Sequence, residues 1–156
     1  MGGGVARPAR RGERGAAAVE FALVVPFLLL LVFGIISYGF MLSFRQAVSQ
    51  GAAEGARAAA VSAAGDDADR LAAARDALND SLDTYGVRCE SSGALVRGGA
   101  SVGTCAVSIA ACVNDTSAQC ASLTVDYRYD EHPLVPDFPL VPLPDHLEYT
   151  AVARVS

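Results

Sequence analysis

The sequence predicts an α+β fold: a long amino-terminal transmembrane helix that continues into a small head with a second helix and a short antiparallel sheet. Three observations lead to this expectation. An uncharged apolar run extends from Phe21 to Phe44, helix-forming residues continue to about Ala64, and three later segments alternate apolar with polar residues. With 156 residues, the chain has room for one such head and is too short for a large multidomain enzyme.

The composition separates a basic leader from an acidic remainder. The 12 basic residues are all arginine, and the 17 acidic residues outnumber them, so the net charge is −5. Four of the arginines lie in the first fifteen residues, which makes the rest of the chain more acidic still. An acidic chain does not attract a phosphate backbone, so nucleic acid is not an expected partner.

The run from Phe21 to Phe44 has the length and composition of a transmembrane helix. Its 24 residues rise about 36 Å, which is enough to cross a hydrocarbon core of about 30 Å. The arginine-rich leader precedes the run and only Arg45 follows it closely, so the positive-inside rule predicts a cytoplasmic amino terminus and an extracytoplasmic head. A cleaved secretory signal peptide is the alternative, but its apolar core is typically shorter, about 7–15 residues.

The junction between the leader and the apolar run carries the functional information. It contains Gly15, then four small or apolar residues that begin with Ala16, then Glu20 and Phe21. A carboxylate at the threshold of a membrane helix is costly for a simple anchor. The helix dipole would account for Glu20 alone but not for the combination with the glycine and the basic leader.

This combination resembles the processing site of type IV prepilins and pseudopilins. More narrowly, GAAAVEFALVVPFLLLLVFGIISYG followed by QAVSQGAAEGARAAA resembles the TadE-like family of minor pilins from the tight-adherence (Flp pilus) system, over residues 12–64. The resemblance implies cutting after Gly15 by a prepilin peptidase, with other pilins and the pilus assembly platform as further partners and no cofactor. It implies three parts: a leader peptide (1–15), a transmembrane and extended helix (16–64) and a head (65–156).

Cutting after Gly15 would make Ala16 the new amino terminus. Its α-amino group, with a reference pKa near 8, would be largely protonated at pH 7. Ala16 and Glu20 are four residues apart on one helix face, so Glu20 can pair with this amine or with that of a neighbouring subunit. The processing residues are therefore expected to be Gly15, Ala16, Glu20 and Phe21, and Glu20 is the expected assembly residue.

Small residues form a stripe further along the same helix. Gly51 and Gly55 are four residues apart, and Ala59 and Ala63 extend the stripe. Such a stripe allows close approach of another element. Two alternatives stay open: the stripe packs against another subunit, which would make Gly51 and Gly55 assembly residues beside Glu20, or it packs under the head of its own chain.

Local signals divide the head into elements. Gly65 is a predicted helix stop, and Asp66 or Asp67 is a predicted N-cap for a second helix that ends before Gly86. Alternation predicts half-buried strands at 104–113, 121–129 and 147–155. The first would turn Cys105, Ala111 and Val113 to one face, and the second would turn Leu123, Val125 and Tyr127 to one face. The regularly spaced prolines of HPLVPDFPLVPLPDH predict a stiff polyproline II crossover that covers the sheet.

All four cysteines lie in the predicted head, at Cys89, Cys105, Cys112 and Cys120. Their even number and an oxidising location predict two disulfides, for which three connectivities are possible. The short polar loop between two predicted strands favours Cys112–Cys120, and therefore Cys89–Cys105. Zinc binding is the alternative, but no CxxC knuckle is present and neither histidine has a ligand spacing to a cysteine, so no metal site is expected.

No catalytic site is expected. His132 and His146 each have an acidic neighbour and are expected to be solvated loop residues, and the sequence contains no nucleophile elbow, phosphate loop or dinucleotide fingerprint. The leading hypothesis is therefore a minor pilin or pseudopilin rather than an enzyme. The alternatives are a permanently membrane-anchored domain that binds a ligand or partner, and an anchored hydrolase whose convergent side chains only a structure would show.

Overall fold

The structure is a computed structural model that describes residues 11–62, 66–136 and 141–155. Two helices, α1 (Arg11–Val61) and α2 (Asp67–Leu82), and a 3-10 turn at Asp83–Tyr85 precede the sheet. The strands are β1 (Val87–Cys89), β2 (Ala94–Arg97), β3 (Ala100–Cys112), β4 (Asp115–Arg128) and β5 (His146–Arg154). This arrangement confirms the predicted α+β class and the long amino-terminal helix.

Helix α1 is a single element of 51 residues, which corresponds to a length of about 76 Å. It ends at Val61, close to the predicted end at Ala64; the expected stop at Gly65 lies outside the described residues. Helix α2 begins as the sequence predicts, because the carboxylate of Asp66 accepts a hydrogen bond from the backbone N–H of Asp69 at 2.9 Å. That bond satisfies one of the amide groups that a helix start leaves unpaired.

The five strands form one antiparallel sheet in the order of the sequence, β1-β2-β3-β4-β5. The three predicted strands correspond to β3, β4 and β5, with β3 and β4 beginning several residues earlier than expected. Strands β1 and β2 were not predicted. They have three and four residues, which is too short for an alternating pattern to stand out from the neighbouring turns.

One predicted face is wrong at the end of β3. The alternation placed Cys105, Ala111 and Val113 on one side, but the pairing of β3 with β4 shifts register between Ala111 and Cys112. The bulge brings Cys112 to the buried face, and Val113 lies in the turn after the strand, where it is 97% exposed. No local signal in the sequence marks this extra residue.

The core lies between the sheet and the two helices. Phe44 of α1 is at its centre, with its ring centroid 4.7 Å from that of Tyr127 and 5.0 Å from that of Tyr85. The predicted inward face of β4 is confirmed: Leu123, Val125 and Tyr127 are fully buried. Because burial of such a side chain contributes about 1.5–3 kcal/mol, this layer fixes the sheet against α1.

The head covers only the later part of α1. Residues 15–32, here called the projecting half, are exposed apart from the half-buried Val25. From Phe33 onward, buried positions recur every three or four residues on one face, among them Ser37, Met41, Phe44 and Val48. One continuous helix therefore serves as an uncovered rod in its first part and as a core element in its second.

Candidate assembly site

The projecting half presents apolar side chains in all directions. Phe21, Leu23 and Phe27 are 72%, 66% and 77% exposed, and nothing in the described parts of the chain packs on them. The helix from Gly15 to Val61 is long and apolar enough to cross a membrane. In water such a surface would be strongly unfavourable, so this half is built for lipid or for contact with other apolar helices.

The expected processing residues lie at the start of this surface. All four are exposed: Gly15, Ala16, Glu20 and Phe21. The peptide bond between Gly15 and Ala16 lies within helix α1. A Cβ atom placed on Gly15 would have no heavy atom within 4 Å. Packing therefore does not explain this glycine, which costs about 1 kcal/mol relative to alanine in a helix.

Glu20 is the one charged residue in the projecting half after Gly15. Within the described residues, its carboxylate has neither a hydrogen-bond donor nor a cationic partner. Ala16 lies one turn earlier, about 6 Å along the axis, on the same face. Within the described part of the chain, Glu20 is thus a carboxylate without a charged or hydrogen-bonded partner on an apolar rod.

Gly51 and Gly55 do not belong to this exposed surface. A Cβ at Gly51 would lie 2.9 Å from Leu78 Cδ1, and one at Gly55 would lie 2.8 Å from the backbone oxygen of Ala74 and closer still to the side chain of Leu123. Both glycines are buried under α2 and β4 of the same chain. Of the two alternatives for the small-residue stripe, the structure shows packing under its own head.

The base of the head meets α1 within the apolar run that the sequence analysis assigned to the membrane. The hydroxyl of Tyr38 donates to the backbone oxygen of Pro142 at 2.6 Å, and Val141 packs beside Gly34. The later residues of the run, such as Met41 and Phe44, are buried against the head on one face. The run from Phe21 to Phe44 is therefore one helix with two environments, which sequence alone did not separate.

Two disulfides close the head, Cys89–Cys105 and Cys112–Cys120. The first joins β1 to β3 beside the core, and the second links Cys112, the last residue of β3, to Cys120 within β4. The pairing is the one that the sequence analysis favoured, and it accounts for every cysteine in the chain. Each bridge ties together segments that the small core alone would hold weakly.

The histidines do not form a recognisable catalytic arrangement. His146 was expected in a loop but is the first residue of β5, and its Nδ1 lies 2.8 Å from Asp126 on β4 rather than pairing with its sequence neighbour Asp145. This hydrogen bond raises the pKa of His146 above its usual value of 6.5. Among residues 11–62, 66–136 and 141–155, no group of three or more metal-ligating side chains comes together.

In a comparison with protein families, the family model for TadE-like protein matches residues 15–57. The matched segment begins at the predicted processing glycine and ends within the packed part of α1, and it confirms the resemblance seen in the sequence. The family is associated with pili and is not an enzyme family. Searches of curated proteins and of solved structures gave no match. Residues 15–57 are thus similar to TadE-like proteins, and this match suggests involvement in the tight-adherence pilus system.

Proposed function

We propose that this chain is a minor pilin or pseudopilin subunit that assembles into tight-adherence (Flp-type) pili after processing by prepilin peptidase. Residues 1–15 are the leader, residues 16–64 the transmembrane and extended helix, and residues 65–156 the head. The observation that carries the proposal is the projecting half of α1, an apolar rod on which no described residue of the head packs and whose one carboxylate is Glu20. A subunit that leaves the bilayer for a helical bundle needs such a surface.

Processing would hydrolyse the amide bond between Gly15 and Ala16. Water adds its hydroxyl to the Gly15 carbonyl, and Ala16 leaves with a free amine that is protonated at neutral pH. The amine and Glu20 then neutralise each other, or each pairs with a neighbouring subunit. In a low-dielectric bundle an unpaired charge costs several kcal/mol, so only the register that pairs these groups is favourable.

The topology follows from charge and from the cysteines. The arginine-rich leader favours the cytoplasmic side, which leaves the head on the outer side of the membrane. Both disulfides lie in the head, where an oxidising compartment would maintain them. These two independent features agree on one orientation.

A groove in the head favours a second candidate function, that of a membrane-anchored binding domain. An open cavity of about 350 Å³ lies between α1 and β5, and Met41, Arg45, His146 and Tyr149 are among its lining residues. A permanently anchored domain that binds a ligand or partner could use it. That protein would keep residues 1–15 and would have no need of a carboxylate at Glu20.

The intact mass of the protein extracted from membranes distinguishes the two. We expect wild-type chains to begin at Ala16 when an active prepilin peptidase is present. Gly15→Leu should leave the full-length precursor in the membrane, because a bulky side chain would obstruct the approach of the protease to the backbone. Gly39→Leu is the matched control, since a Cβ at Gly39 also meets nothing within 4 Å. Wild-type protein that retains its original amino terminus would contradict the proposal.

Glu20→Ala tests the assembly step. The variant should insert and fold like wild type, because no described contact depends on this carboxylate, but surface pili should be reduced or absent. Glu13→Ala, in the leader, is the matched control and should assemble nearly normally. Pili are counted in cells whose own copy of the gene has been replaced by each variant. Normal piliation by Glu20→Ala at normal protein levels would favour the anchored binding domain.

A further inference from the structure

We propose that the base of the head rests in the interfacial layer of the outer leaflet, through residues 133–136 and 141–144, here called the proline strap. The inference rests on the proposed function in one respect, that α1 spans a membrane. It adds an interaction surface between the head and lipid, so the head of an unassembled subunit is held against the bilayer rather than free above it.

The height of residues 141–144 of the strap follows from their contacts with α1. Val141 and Pro142 touch the helix at Gly34 and Tyr38. If the hydrocarbon core begins at Phe21, these levels lie about 20 and 26 Å into a layer about 30 Å thick. If it begins as early as Gly15, Gly34 still lies only about 29 Å into that layer. Any tilt of the helix places these contacts deeper, so both limits put Gly34 in the outer third of the hydrocarbon layer, next to the interfacial layer.

The composition of the strap suits that height. Its described residues carry no charge, and four of them are proline, which has no N–H group to leave unpaired in a weakly hydrated layer. The backbone oxygen of Pro142 is satisfied by the Tyr38 hydroxyl at 2.6 Å. Pro136 and Pro142 are exposed, whereas Val141 is buried against the helix.

The uncovered face of α1 at the same level is aromatic and aliphatic. Tyr38 is 40% exposed and Leu42, one turn later on the same side, is 53% exposed, while Phe40 on the other flank of the helix is 51% exposed. Tyrosine in particular is enriched at the boundary between hydrocarbon and headgroups. The strap and these side chains form one apolar belt that continues directly from the projecting half.

Charged residues limit how far the belt can enter. Asp130 and Glu131 precede the strap and Asp145 follows it, and all three are exposed. Arg128 lies 2.9 Å from Glu131 and neutralises only part of this rim. Because these carboxylates stay hydrated, the strap reaches the interfacial layer and stops there.

Depth-dependent quenching of a fluorophore tests the inference. Each variant carries one added cysteine that is labelled with the fluorophore in full-length protein with its native disulfides intact. The labelled protein is placed in phosphatidylcholine vesicles, and iodide, a water-soluble quencher, is present on both sides of the bilayer. Pro142→Cys reports on the strap and keeps the backbone oxygen that Tyr38 uses; Leu143→Cys is a second strap label. Leu28→Cys reports on the span. Val61→Cys, 64% exposed at the far end of α1, is the aqueous control.

We expect the strap labels to be quenched several-fold less by iodide than the Val61 label, and most strongly by lipids with a nitroxide near the headgroup. The Leu28 label should respond to a nitroxide deep in the acyl chain. Strap labels quenched by iodide as strongly as the Val61 label would overturn the inference. Shielding from iodide without lipid quenching would also overturn it and would indicate a second copy on the strap. A Leu28 label accessible to iodide would instead overturn the membrane span itself.

Discussion

Gly55→Ala provides a quantitative test of how closely α1 packs in the head. The added methyl group would lie 2.8 Å from the backbone oxygen of Ala74 on α2 and would overlap the side chain of Leu123 on β4. Both neighbouring residues are fully buried, so neither can turn into solvent. The sheet and α2 must therefore separate from α1 around this position.

Two opposing contributions set the change in the free energy of unfolding of Gly55→Ala. Overpacking a dense core costs about 1–3 kcal/mol. Replacing glycine by alanine within a helix contributes up to about 1 kcal/mol of stability. Gly39→Ala should gain the helix stabilisation without the overpacking cost, because a Cβ at Gly39 would meet no heavy atom within 4 Å. The stability difference between the two variants should therefore equal the packing term alone, about 1–3 kcal/mol in favour of Gly39→Ala.

The measurement is denaturant or thermal unfolding of the detergent-solubilised protein with its disulfides intact. Near-ultraviolet circular dichroism follows the packed tyrosines, since the chain has five tyrosines and no tryptophan. For a head of this size, each kcal/mol corresponds to a shift of roughly 4–8 °C in the melting temperature. Equal stabilities for Gly55→Ala and Gly39→Ala would refute the packing described here. Loss of pili by a Gly55→Ala protein of normal head stability would assign the glycine to contacts between subunits instead.

Two further predictions concern the head. Replacing both cysteines of the Cys89–Cys105 bridge with alanine should lower the free energy of unfolding by about 3 kcal/mol. Removing Cys112–Cys120 should lower it somewhat less, because that bridge closes a loop of 8 residues rather than 16. Equal losses measured by urea unfolding would contradict the loop-length argument. The pKa of His146 should lie above its usual value of 6.5, because Asp126 hydrogen-bonds to the charged form of the imidazole. The pair therefore stabilises the folded head when His146 is protonated, and this stabilisation is lost as pH rises through the raised pKa. Asp126→Asn should lower the pKa of His146 as measured by NMR titration, whereas Asp145→Asn, its matched control, should lower it much less; equal effects would remove the proposed cause.

The sequence by itself determined the features that repeat locally along the chain. The uncharged run and the helix formers after it predicted α1 almost to its end, and Asp66 predicted the start of α2. Alternation predicted the inward side chains of β4, because side chains of a strand point to opposite faces in turn. The glycine and carboxylate at the start of the apolar run carried the resemblance that the TadE-like match then confirmed.

The tertiary structure decided which distant segments meet. Gly51 and Gly55 would form the same stripe whether they faced a neighbour or their own head, and only the position of α2 and β4 assigns them to the head. The contact between Tyr38 and Pro142 joins residues 104 positions apart, and the pair of Asp126 and His146 depends on the register of β4 with β5. Periodicity records which face of an element is apolar. The partner of that face is decided by how all the elements pack together, and no short stretch of sequence contains that information.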